Sequence, residues 1–261
     1  MRIVMPLFDF NYQDLREFVF EGGRYALRCF DAHNELPKVD LFSKRDIHVM
    51  EFQPWALVAE NPDLTKYKEE INILILSFKI CKLSRLFIKY RLCKEDATLC
   101  RLLNETTHYI SPEVELYTFE DLRVINSRFS NLKEMSTISN RTHNAIYFMF
   151  RGFLSGKMID TFIFLMAAIE SLFSNETMGG ATRTICTRVS KFLECKTRCE
   201  YKDIEKLYDL RSKMVHGRVI ISDEVKGQLP TLYELEYVLR ECMKKMLDEK
   251  IYLLYNDVAK K

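Results

Sequence analysis

The eight residues from Phe162 to Ile169 read Phe-Ile-Phe-Leu-Met-Ala-Ala-Ile and are apolar without interruption. They sit in the middle of a helical stretch from Lys157 to Phe173. At 3.6 residues per turn such a run leaves no polar face. It is predicted to lie at the centre of a bundle, covered by other helices. A bilayer span needs roughly 20 apolar residues, so this run is far too short for one. The next best run, Ile71 to Ile80, is broken by Asn72 and Lys79. No membrane association is therefore expected.

The covering helices are legible around it. Thr118-Phe119-Glu120-Asp121 resembles a capping box and opens a helix through Leu122, Ile125, Phe129 and Leu132. Asn144 to Phe150 reads as a short helix stopped by Gly152, followed by Thr182 to Leu193, Tyr201 to His216 and Thr231 to about Tyr255. The first ~60 residues read differently. Phe18 to Phe20 and Tyr25 to Phe30 flank Glu21-Gly22-Gly23-Arg24, a hairpin signal in which glycine accepts positive φ. Ile47 to Phe52 and Trp55 to Val58 read as further short strands, and Leu86 to Leu92 alternates like one. Between them, Asp63 is expected to cap a helix through Tyr67, Ile71, Leu74, Phe78 and Cys81. The predicted fold class is α+β, mainly α. A smaller β-rich mixed region, 1–115, precedes an α-helical domain, 116–261.

Composition removes several function classes. There is no Walker glycine loop, no GxGxxG, no Gly-x-Ser-x-Gly elbow and no His-Glu-x-x-His. The eight cysteines include no CxxC, and the five histidines do not cluster with them, so no metal is expected. The N-terminus lacks the apolar run and cleavage site of a signal peptide, and the thiols are expected to be reduced in a cytoplasmic protein. The net charge is only +2, but Arg183 to Arg218 carries ten Lys/Arg against five Asp/Glu. That basic stretch is either a polyanion footprint or a solvated helix face.

Two charges interrupt apolar stripes. Glu170 directly extends the Phe162 run and shares a face with Ile163, Met166 and Ala167. Arg211 falls among Ile204, Leu207, Tyr208, Met214 and Val215. A carboxylate buried without a partner costs several kcal/mol, and a guanidinium is its natural partner. Glu170 and Arg211 are therefore expected to meet. An ion pair that merely fixes helix register is the plain structural explanation. His216 closes the same helix, with Gly217 as its left-handed cap. Ideal helix geometry puts it about 7.5 Å along the axis from Arg211 and ~140° around it. A guanidinium and an imidazole near one cleft suit phosphoester chemistry.

The string Leu210-Arg211-Ser212-Lys213-Met214-Val215-His216-Gly217 resembles the Arg-x4-His signature of the HEPN superfamily. Met166 to Phe173, with Glu170, resembles the Ala-Ile-Glu-x-Leu helix of its ApeA-like branch. Thr187 to Leu193, with Arg188, resembles that branch's middle helix, and Leu207 to Leu210 matches the lead into the motif. The resemblance covers residues 140–256. It implies a metal-independent RNA endonuclease, working without cofactor as a homodimer, in antiphage defence or as a toxin. His216 would be general base or acid for attack by the RNA 2′-hydroxyl, Arg211 would hold the phosphate, and Ser212 would orient one of them. Glu170 would position Arg211, while Arg188, Lys213 and Arg218 would add contacts to RNA. Some toxin-type members carry a tyrosine two residues after the histidine, whereas Arg218 stands here. The alternative is a non-catalytic module binding nucleic acid, nucleotide or a protein partner. The N-terminal region is the surface expected to meet a protein partner.

Overall fold

The computed structural model describes residues 1–14, 16–35, 42–52, 54–84, 86–93, 99–101, 115–174, 181–193, 201–216 and 229–260. Its strands are β1 (Arg2–Phe8), β2 (Phe18–Val19), β3 (Tyr25–Cys29), β4 (Trp55–Glu60), β5 (Phe87–Ile88), β6 (Tyr90–Cys93) and β7 (Leu99–Arg101). Its helices are α1 (Ala32–Glu35), α2 (Lys44–Phe52), α3 (Tyr67–Cys81), α4 (Phe119–Ile138), α5 (Asn140–Leu154), α6 (Met158–Phe173), α7 (Ala181–Phe192), α8 (Tyr201–Val215) and α9 (Leu229–Asp248). The fold is α+β and mainly α. Two compact units divide at Ser130/Asn131, inside α4. Among the described residues no helix is long and apolar enough to cross a membrane.

In the first unit one antiparallel sheet runs β2-β3-β4-β1-β6-β7, with β5 also on β1. The central strands β1 and β4 pair in the register Val4↔Val58 and are buried along almost their whole length. They thus read as continuous apolar runs rather than alternating ones. One face holds Val4, Phe8, Met50, Val58, Tyr90 and Leu92 in a single core. The expected hairpin forms, with Phe18 opposite Leu27 and Gly22 and Gly23 at φ 74° and 69°. Such positive φ favours glycine.

The segment expected as a strand at Ile47–Phe52 is instead the end of helix α2. The Ser43 hydroxyl accepts the Asp46 N–H at 3.1 Å and starts the turn. Asp46 and Met50 then face inward four residues apart, which is a helical period. Asp46 accepts two hydrogen bonds from Lys89 Nζ (2.7 and 2.8 Å) and one from the Tyr90 hydroxyl (2.7 Å). Asp63 does not cap α3 with its side chain. Its carboxylate receives Thr65 N–H and Oγ1–H, and the helix begins at Tyr67.

The second unit is helical. Thr118 and Asp121 exchange the hydrogen bonds expected at the start of α4, although that end belongs to the first unit. A capping box between Ser139 and Thr142 opens α5, which runs through Gly152 to Leu154. Gly152 is therefore no stop signal. A Cβ there would stand 2.7 and 2.9 Å from Leu165 Cδ2 and Cγ, so the missing side chain is what lets α5 and α6 touch. Helix α6 also packs on α7, α8 and α9, and is central in that sense. It is not buried all round, however. Ile163 is 40% exposed, and Phe164, Ala167 and Glu170 are half-buried along the same strip. Apolar residues on every face exceed what four neighbours cover.

Candidate functional site

Helix α8 is laid down by Ile204, Leu207, Tyr208 and Met214, all buried. Their spacing turns Arg211 toward the same side, at the edge of that stripe. The Arg211 guanidinium reaches Glu170 of α6, with Nη2 3.5 Å from Oε2. The sequence expectation that these two residues meet is thus met in position. It is corrected in burial: the Arg211 and Glu170 side chains are 40% and 30% exposed. Neither charge is sealed in the core, and a single contact at 3.5 Å is at the outer limit of a hydrogen bond.

Glu170 stands one turn before the end of α6, and that end is heavily tied. Arg141 of α5 donates Nε to the Ser171 carbonyl (3.1 Å) and Nη2 to the carbonyls of Leu172 (3.2 Å) and Ser174. Arg188 of α7 donates Nη1 to the Phe173 carbonyl (2.8 Å), and the Tyr255 hydroxyl donates to the Leu172 carbonyl (2.8 Å). The final carbonyls of a helix have no partner within it, and cations suit its negative end. Arg188 therefore sits close along the chain fold to Glu170, but one of its donors is engaged in holding the helix end. Lys213 is turned to Asp209 on its own helix, with Nζ 2.5 Å from Oδ2.

His216 is exposed at the close of α8, and its backbone N–H donates to the Ser212 carbonyl at 3.0 Å. Ser212 is half-buried. Gly217 and Arg218 lie outside the described residues. Of the candidate set, then, Glu170 and Arg211 are brought into contact, and Ser212 and His216 follow Arg211 in the last turn and a half of one helix.

Sequence reasoning overlooked Tyr208. It is buried to 4% exposure, and its hydroxyl has no hydrogen-bond partner among the described residues. Burial pushes the phenol far up, the charges of Glu170 and then Cys186 push it further, and Arg211 opposes them. Tyr208 was visible in the apolar stripe, but only as a ring. Arg141 was also missed, because nothing in a first-turn arginine signals a distant helix end. The same holds for Glu236 and Arg240, buried four residues apart on α9.

A cleft of about 360 Å³ lies in the first unit, lined by Asp14, Arg16, Thr118, Phe119, Glu120 and Arg123. The Arg16 guanidinium stacks 3.9 Å over the Phe119 ring there, and both arginines pair with neighbouring carboxylates. None of the candidate residues lines it. Among the described residues no three His, Cys, Asp or Glu side chains are grouped as a metal ion would need. No family model, no curated protein and no solved structure matches this chain.

Proposed function

We propose that the second unit is an RNA endonuclease of the HEPN type, acting as a homodimer. The observation that carries this reading is the Arg211 guanidinium: half-exposed, held loosely at 3.5 Å by Glu170, and followed five residues later by the exposed imidazole of His216. A guanidinium offers five donors in a planar fork that matches a phosphodiester. His216 takes the proton of the ribose 2′-hydroxyl, whose oxygen attacks the adjacent phosphorus. Arg211 stabilises the charge that builds on the phosphoryl oxygens. The 5′-oxygen leaves and receives a proton from the imidazolium, so the products are a 2′,3′-cyclic phosphate and a 5′-hydroxyl with no net change in protons. Ser212 orients the scissile group. Glu170 presents Arg211, and Arg188, Lys213 and Arg218 contribute positive charge to the strand's path.

The test is cleavage of single-stranded RNA by the purified protein in EDTA, with analysis of the ends formed. Cyclic phosphate ends, lost in His216→Ala while the melting temperature holds, are the expected result. Cleavage that survives His216→Ala removes the imidazole from the mechanism. Binding that weakens steeply with salt, without products, is the outcome for a non-catalytic module. Light scattering that finds only monomer at high concentration removes the homodimer.

A further inference from the structure

A buried hydroxyl without a partner is uncommon, because it forfeits its hydrogen bonds to water and gains nothing in exchange. Among the described residues the Tyr208 hydroxyl has no partner, and its place is informative. It lies three residues before Arg211, on the same side of α8, and within electrostatic reach of both Arg211 and Glu170. It is a donor one helical turn from the guanidinium that holds the Glu170 carboxylate. The donor in place is Arg211, and its grip is a single 3.5 Å contact.

If Arg211 turns to a phosphate, Glu170 loses the ion pair it makes here while itself only 30% exposed. A stranded, partly desolvated carboxylate opposes that turn. A phenol that moves onto the carboxylate as the guanidinium leaves removes the opposition. A phenol is neutral, so it satisfies Glu170 without competing for the anion as a second cation would.

We propose that Tyr208 is a positioning residue whose hydroxyl exchanges with Arg211 as the donor to Glu170, so that Arg211 is released to bind a phosphodiester. This rests on the reading of Arg211 as the phosphate-binding group. The Tyr208 hydroxyl is idle in the resting protein and employed in the occupied one. Glu170 is the pivot of the exchange, bonded to the guanidinium in one state and to the phenol in the other.

The experiment uses the full chain and a short DNA oligonucleotide, which carries phosphodiesters but no 2′-hydroxyl to react. The Arg211 side-chain N–H resonances are followed by NMR during titration in wild type, Tyr208→Phe, Glu170→Gln and the double variant. In wild type the Arg211 signals shift on titration. Tyr208→Phe weakens the affinity about tenfold, the scale of losing one hydrogen bond to a charged group. In the Glu170→Gln background the same change has no effect, because an amide left behind is not a stranded charge. A merely structural tyrosine does not produce that dependence. Thermal melts accompany the titration, and Tyr208→Phe melts no lower than wild type, since the oxygen removed had no partner. Silent Arg211 signals in wild type overturn the phosphate reading and the exchange together. Signals that shift equally in wild type and Tyr208→Phe leave the phosphate reading intact and overturn the exchange, as does an equal loss in both Glu170 backgrounds.

Discussion

Replacing Arg211 with alanine is expected to leave the protein folded, at a cost of about 1–2 kcal/mol. A fully buried ion pair broken on one side costs about 3–5 kcal/mol, because the surviving charge is left in low dielectric. Here the surviving group, Glu170, is 30% exposed, and the lost contact is one nitrogen–oxygen approach of 3.5 Å rather than a bidentate clamp. Exposed pairs of this quality contribute about 0.2–1 kcal/mol. The aliphatic stem of Arg211, whose side chain is 40% exposed, adds about 1 kcal/mol of apolar burial. Urea denaturation followed by circular dichroism measures the sum. Glu170→Gln serves as control, since it breaks the ion pair and keeps the stem, and it is expected to cost less than about 1 kcal/mol. A loss above about 3 kcal/mol in either variant refutes the half-exposed geometry. Within the expected range, any loss of RNA cleavage in Arg211→Ala belongs to the chemistry and not to unfolding.

Gly152→Ala is expected to lower stability by about 1 kcal/mol, although alanine in a helix normally gains about that much. Its Cβ would press on Leu165, which is fully buried and has nowhere to go, and such overpacking costs about 1–3 kcal/mol; a higher melting temperature contradicts it. Asp46 gives an acid-sensitive core. Burial raises its carboxyl, but hydrogen bonds from Lys89, Tyr90 and Ser43 outweigh that and hold it below the ordinary value. Its stabilisation is present above pH about 4 and is lost as the pH falls through the lowered pKa. Melts at pH 6 and pH 3 should therefore differ less in Asp46→Asn than in wild type. Burial, and then the charge of Glu205, push the Cys186 thiol up to about 11. Iodoacetamide at pH 8 should modify exposed Cys29 and spare Cys186 in the native protein, as read by mass spectrometry.

Glycine pairs and capping residues act within four positions, so the Gly22-Gly23 hairpin and the Thr118–Asp121 box could be read directly. The Glu170–Arg211 meeting was legible for a different reason: two charges in apolar stripes on separate helices restrict each other's partner. Their degree of burial was not legible. It depends on how much of α6 its neighbours cover, and no local pattern encodes that. Helix α2 was misread because Ile47 to Phe52 contains two apolar pairs consistent with either period, and the deciding contact is Asp46 to Lys89, 43 residues away. Gly152 was misread because a glycine that ends a helix and one that admits a neighbouring helix are identical in one dimension. Tyr208 was counted for its ring, and its oxygen acquires meaning only when α6 and α8 are side by side.

The fastening of α6 has a consequence for how the Glu170–Arg211 contact behaves in time. Ser171, Leu172, Phe173 and Ser174 give their carbonyls to side chains from α5, α7 and the turn around Tyr255. Opening that terminus requires several separate segments to let go together, so amide exchange at the foot of α6 should be slow. The amides around His216, exposed at the close of α8, should exchange sooner. In the exchange proposed above, the carboxylate is the stationary half of the contact and the guanidinium the travelling half. On that proposal, whatever approaches from solvent negotiates with a limb that swings against a post.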